Sequence, residues 1–167
     1  MPQDPHSERF EQLIREHGAG LDRVLTSYAR SRAEVDDLRQ ELALGLWRAL
    51  PSFRGECSER TFVFRIAHNL GQSHSFKQRR LSTEPPPDQV DPTDAPDEQL
   101  GALQRRTLLL RAIRALPLSH REVLTLALEE LSHAEIGEVL GITANNVGVR
   151  LNRARAALRE KLEETRP

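Results

Sequence analysis

The stretch Ser132–Ala157, SHAEIGEVLGITANNVGVRLNRARAA, decides the fold of the C-terminal half. Ser132 followed three residues later by Glu135 has the form of a capping box. The serine accepts a free backbone N–H and the glutamate reaches back to the cap. The capped helix ends at Gly141, where the left-handed backbone costs glycine least. Ile142 follows as an apolar plug, and Thr143 caps a second, longer helix. A short helix, a glycine turn and a longer helix make the helix-turn-helix pattern.

The faces of the second helix follow from about 100° of rotation per residue. Val147, Leu151, Ala154 and Leu158 share a narrow arc that must pack on the first helix. The opposite arc holds Asn145, Val149, Asn152, Arg153 and Ala156. Arg150 flanks it on one side, while Arg155 and Arg159 lie near the buried boundary on the other. Four arginines and no acid lie between Thr143 and Arg159. Arginine pairs phosphates or guanine edges and asparagine can read adenine, so this helix suits a major groove. Thr143, Asn145, Asn146, Val149, Arg150, Asn152 and Arg153 are its candidate contacts.

Outward from this motif the chain reads as helical throughout, with no period-2 runs of β-branched residues. Ser31 with Glu34 and Ser119 with Glu122 repeat the capping-box form. Helices are expected near 7–17, 20–30, 33–50 and 59–79, then near 98–115, 119–129, 132–140 and 143–162. In the third, Val35, Leu38, Leu42, Leu46, Ala49 and Leu50 form one apolar stripe. Pro51 and Gly55 then open a loop, and Phe62, Phe64, Ile66 and Leu70 of the next helix face a core.

Residues 82–97, STEPPPDQVDPTDAPD, hold five prolines, five acids and no basic residue. Such a composition cannot bury a core, so a flexible Pro/acidic linker is expected over 81–97. The expected fold is all-α: two small helical domains, 7–80 and 98–164, the second carrying the helix-turn-helix. Whether the strip is a plain tether or a functional acidic segment, composition leaves open.

The chain of 167 residues carries 24 basic and 25 acidic side chains, a net charge of -1. Taken whole, that argues against nucleic acid. Partitioned, residues 1–80 hold 13 basic and 11 acidic groups, 81–104 hold six acids alone, and 105–167 hold 11 and eight. Two mildly basic blocks flank an acidic strip. No apolar run approaches the roughly 20 residues of a membrane span, and no secretory signal follows the polar N-terminus. The single Cys57 excludes an internal disulfide and fits a reducing cytoplasm. No membrane insertion is expected.

Arg60–Arg80, RTFVFRIAHNLGQSHSFKQRR, has five basic residues and no acid, with Phe62, Phe64 and Phe76 interleaved. Charge tracks a nucleic-acid backbone and aromatic faces stack on unpaired bases, although phenylalanines here also serve a core. His68 and His74 lie six apart, the wrong spacing for a helical metal pair. No metal and no cofactor is expected, and no P-loop or nucleophile–base pattern suggests an enzyme. Upstream, Asp37, Gln40, Glu41 and Leu44 line one side of a helix. This row is either solvated surface or a docking face for a basic helix, and composition does not decide.

The order DDLRQELALGLWRALPSFRGECSERTFVFRIAHNL, a Pro/acidic linker, then LPLSHREVLTLALEELSHAEIGEVLGITANNVGVRLNRARAALREKL resembles the extracytoplasmic-function sigma factors of bacterial RNA polymerase. The resemblance covers residues 10–80 and 103–162. It implies that Asp37, Gln40, Glu41 and Leu44 dock on the coiled-coil clamp of the largest polymerase subunit. It implies that the loop Phe53, Arg54, Gly55, Glu56, Cys57 and Ser58 captures a base flipped from the minus-ten element, and that Asn69 contacts a base. Arg60, Arg65, Lys77, Arg79 and Arg80 would then form a cationic rail for single-stranded DNA. The C-terminal helix would read the minus-thirty-five element. The implied partners are core RNA polymerase, promoter DNA and an anti-sigma factor. Alternatives are a sigma-like decoy and a helix-turn-helix regulator that works without polymerase.

Departures from the family pattern are specific. Phe62 stands where tryptophan is common, and Gly148 where a cation is common. Glycine there costs about 1 kcal/mol of helix propensity. Asn145, Asn146, Val149 and Asn152 also differ from the usual choices, so a promoter sequence preference does not transfer.

Overall fold

The computed structural model describes residues 4–81 and 97–164, all of its regular structure helical. Seven α-helices follow in order: α1 Pro5–Tyr28, α2 Arg32–Ala49, α3 Glu59–Leu81, α4 Asp97–Ala115, α5 Leu118–Leu128, α6 His133–Leu140 and α7 Ala144–Glu164. A short 3-10 turn, Leu50–Ser52, closes α2, with Pro51 at its start. Apart from its two ends, the expected linker lies outside the described residues; Leu81 closes α3 and Asp97 opens α4.

The two helices expected at 7–17 and 20–30 are one. α1 runs through Gly18 and Gly20 without a break. Glycine weakens a helix interior, but tertiary packing overrides it here. Gly20 is buried, and a Cβ added to it would sit 2.7 Å from the Glu129 carboxylate and 3.1 Å from Phe64. The small residue admits another part of the chain rather than ending the helix.

Two of the three serine caps also differ from expectation. At Ser31 the hydroxyl accepts from Glu34 N at 3.2 Å, but the Glu34 carboxylate takes the Arg30 N–H at 2.7 Å instead of the cap. At Ser119 there is no cap: α5 begins one residue earlier, behind Pro117, which makes no side-chain cap bond. The proline's preset φ starts the helix in its place. Glu122 is thereby released from a capping role and is buried, its Oε1 accepting from Gln72 Nε2 of α3 at 2.9 Å.

α1, α2 and α3 pack around Leu13, Leu21, Val24, Leu25, Leu38, Leu42, Leu46 and Phe64. α4 to α7 pack around Ile113, Val123, Leu126, Ile136, Val147 and Leu151. These two sets join into one continuous apolar core, because α5 lies on α1 and α6 lies on α3. Sequence reading anticipated two helical units and gave no sign that they close on each other. At about 25 cal/mol per Å² of apolar area, even a modest shared core is a substantial force holding them together.

Candidate nucleic-acid interface

The C-terminal motif forms from local chemistry. The Glu135 carboxylate accepts the Ser132 N–H at 2.7 Å and Ser132 Oγ accepts the Glu135 N–H at 3.2 Å, a complete capping box. Gly141 takes φ +68° at the end of α6, and Ile142 N donates back to Gly137 O at 3.0 Å. A Cβ on Gly137 would fall 2.6 Å from Ile142 O, so the turn folds tightly over α6. Thr143 Oγ1 then accepts from Asn146 N at 3.2 Å and starts α7.

The faces of α7 fall where the helical period puts them. Val147, Leu151 and Ala154 are buried and Leu158 is half-buried against the same core. Asn145, Asn146, Val149, Asn152, Arg153 and Ala156 are exposed, as are Thr143, Arg155 and Arg159. The side chains of Asn145, Asn146, Asn152 and Arg153 make no hydrogen bond to any described residue. Arg150 differs from them. It is half-buried and its charge acts on Glu122, whose carboxyl is raised by burial despite Gln72, Arg150, Arg121 and Arg79 pulling it down. Arg150 therefore lies close enough to α5 for its charge to reach Glu122.

On α3 the cations are not equally free. Arg60 donates to the backbone carbonyl of Glu129, and Arg65 is half-buried with its Nε enclosed and unbonded. Asn69, Lys77, Arg79 and Arg80 are exposed. Phe64 is core, whereas Phe76 is 63% exposed with the Arg80 guanidinium 6.0 Å above its ring. Gln72, Ser73, Phe76, Lys77 and Arg79 line an open groove with Leu118 of α5.

The loop 53–58 is braced from below. The Phe53 ring lies 4.5 Å from that of Phe62, which keeps the bulky apolar role expected of it. Arg9 sits 5.4 Å over Phe53 and pairs with Glu59. Gly55 supplies the turn with φ +76°. Ser58 Oγ accepts from Thr61 N at 3.0 Å, anchoring the loop to the start of α3. Arg54, Glu56 and Ser58 are exposed and Cys57 is half-buried.

Along α2, Asp37, Gln40, Glu41 and Leu44 are all exposed, with Leu44 at 54%. Trp47, one turn further, extends this apolar end and was not among the candidates. Its ring is held edge-on by Phe10 and His6, with centroids 5.3 and 4.0 Å away. The signal was its spacing of three from Leu44, which places both on one face. No described helix is long and apolar enough to cross a membrane.

Two family models match the chain: "Sigma-70 region 2" over residues 13–81 and "Sigma-70, region 4" over 106–158. The "ECF RNA polymerase sigma-E factor" of Escherichia coli K12 is 30% identical over 169 aligned positions, spanning 92% of this chain and 86% of the relative. The "RNA polymerase sigma factor NccH" of Alcaligenes xylosoxydans xylosoxydans is 28% identical, spanning 93% and 88%. Among solved structures, CnrH in complex with the cytosolic domain of CnrY superposes with a TM-score of 0.70 at 26% identity, over 96% of this chain and 91% of that one. The sigma factor RpoE bound to the anti-sigma factor NepR from Bartonella quintana shares the fold, with a TM-score of 0.77 at 18% identity over 95% and 99%. These matches run across both halves of the chain. The chain belongs to the extracytoplasmic-function family of bacterial RNA polymerase sigma factors.

Proposed function

We propose that this sigma factor engages polymerase and promoter through three separate surfaces. Asp37, Gln40, Glu41 and Leu44, with Trp47 beside them, dock on core polymerase. The loop Phe53–Ser58 and the α3 residues Arg60, Arg65, Asn69, Lys77, Arg79 and Arg80 hold the melted minus-ten strand. Thr143, Asn145, Asn146, Val149, Asn152 and Arg153 meet the minus-thirty-five duplex, with Arg150 contributing from the flank. The units 7–80 and 98–164 are the two working domains, on either side of the 81–97 linker. The protein itself catalyses nothing; polymerase carries out nucleotidyl transfer. It acts in the cytoplasm and is held in check by an anti-sigma factor.

The observation that carries this reading is the α7 face. Its amides and Arg153 stand exposed and unbonded on a helix whose opposite face is fully committed to packing. Such a face has hydrogen-bonding groups to offer and nothing among the described residues to satisfy them. The test is reconstitution with sigma-free bacterial core polymerase. Promoter-specific transcripts are expected, and failure to bind core would overturn the reading. Within that assay Asn69→Ala should impair strand opening, read by permanganate reactivity, more than core binding. Equal loss of both would remove Asn69 from base contact.

A further inference from the structure

The loop 53–58 is gripped at both ends by one side chain from another helix. Arg9, near the start of α1, holds its guanidinium 5.4 Å from the centre of the Phe53 ring. Its Nε and Nη2 donate to Glu59 Oε1 at 2.9 and 2.5 Å. Phe53 is the first residue of the loop, and Glu59, just past its last, is the first of α3. The two contacts therefore span the loop, although Arg9 and Glu59 stand 50 positions apart along the chain.

The loop's local hydrogen bonds leave that span open. Phe53 N donates to Leu50 O at 3.2 Å, which ties the entry only to the turn before it. Ser58 Oγ accepts from Thr61 N at 3.0 Å, which ties the exit only to α3. The Phe53 and Phe62 rings also cross from entry to α3, but that contact is apolar and non-directional. Between the two ends, Arg54 and Glu56 are exposed and make no hydrogen bond or ion pair to a described residue.

Arginine suits the place. Its planar fork directs two N–H groups at one carboxylate while its face lies on a ring, and the ammonium of a lysine has no such plane. Its support is firm. Asp4 caps α1, accepting from His6 N at 3.3 Å, and the His6 and Phe10 rings on either side of Arg9 in sequence rest on Trp47 of α2. The Arg9 and Glu59 side chains are 43% and 41% exposed, so the pair adds little to global stability. What it contributes is geometry. We propose that Arg9 is a positioning residue: it holds the two ends of the loop at a fixed separation and so sets the shape in which the loop receives an unstacked base. The inference rests on the reading of 53–58 as the base-capturing loop.

The test has two arms. Both use the full-length chain as Arg9→Ala, Glu59→Ala, the double variant, and Arg15→Ala, which removes the same charge from another exposed position of α1. On the free chain, NMR order parameters of the 54–57 amides should fall below about 0.6, the range of flexible backbone, in the first three variants and not in Arg15→Ala. With core polymerase, affinity is measured for minus-ten strands in which each base is varied in turn. The ratio between the preferred and the worst base should fall about fivefold in Arg9→Ala, the size expected of one exposed ion pair with a cation–π contact. Glu59→Ala should fall in the same direction, and the double variant no further than Arg9→Ala, since both residues act through one clasp. The salt dependence should not change. A uniform loss across all bases, with the salt slope reduced by about one, would make Arg9 a phosphate contact and overturn the clasp. Unchanged loop order and discrimination in Arg9→Ala, or an equal loss in Arg15→Ala, would overturn it as well. A wild type with no base preference at any position would instead overturn the base-capturing reading, and the order parameters would still decide whether Arg9 holds the loop.

Discussion

Acidification should destabilise this protein through one buried imidazole. His68 on α3 is 3% exposed, and its Nδ1 lies 2.9 Å from the Tyr28 hydroxyl at the end of α1. A neutral ring with its proton on Nε2 accepts the Tyr28 O–H there. A protonated ring has no lone pair for it and carries a charge into an apolar site. Burial accordingly pushes the His68 pKa down from 6.5 to about 4. A folded value below the unfolded one means that the unfolded chain binds the proton more readily. The stabilisation is complete above the unfolded value near 6.5 and is lost as pH falls from there toward 4. The full span is worth about 3 kcal/mol, of which about 2 kcal/mol disappears between roughly pH 7 and pH 5. The assay is urea unfolding followed by circular dichroism at both pH values, for wild type and for His68→Gln. The glutamine amide still accepts from Tyr28 but does not titrate. Other groups protonate alike in both proteins, so the wild type should lose about 2 kcal/mol more than the variant. Parallel losses, within about 0.5 kcal/mol, would refute the argument. The imidazole signal of the wild type gives an independent check, since its NMR titration midpoint should lie well below the ordinary histidine value.

Three further outcomes follow from the same geometry. In Gly71→Ala the new methyl would lie 2.6 Å from Cγ and Cε2 of Tyr28, a ring too buried to swing away. Overpacking of about 1–3 kcal/mol should outweigh the helix propensity gained, and calorimetry should show Tm lowered by a few degrees rather than raised. Ser132→Ala removes one arm of the only complete capping box among the described helices and should cost about 1 kcal/mol, or roughly 2–4 °C in Tm. Arg153→Ala should weaken duplex binding and reduce the slope of log affinity against log salt by about one, whereas an unchanged slope would place Arg153 off the phosphates.

The helix-turn-helix was legible residue by residue because each of its determinants is local. Ser132, Gly141 and Thr143 act on backbone groups within four positions, and the faces of α7 follow from its period alone. The exposed row on α2 was legible for the same reason. α1 was misread because Gly18 and Gly20 look like a break to any local rule. Ser119 was misread because the pattern of a capping box is present, yet Pro117 starts the helix earlier and Glu122 has a better partner in Gln72.

What the sequence determined by itself was a pair of helical units, the composition of the strip between them, and a basic helix with an exposed face of amides and arginine. Those features need only near neighbours along the chain. What tertiary structure alone decided was closure. Arg23 and Glu129 are separated by 106 positions, and Arg114 caps a carbonyl 88 positions away. Before folding, none of these residues differs from an ordinary surface charge. Only burial of the shared apolar core brings them into range, and only at that range does the Glu129 carboxylate on one half pair with Arg23 on the other.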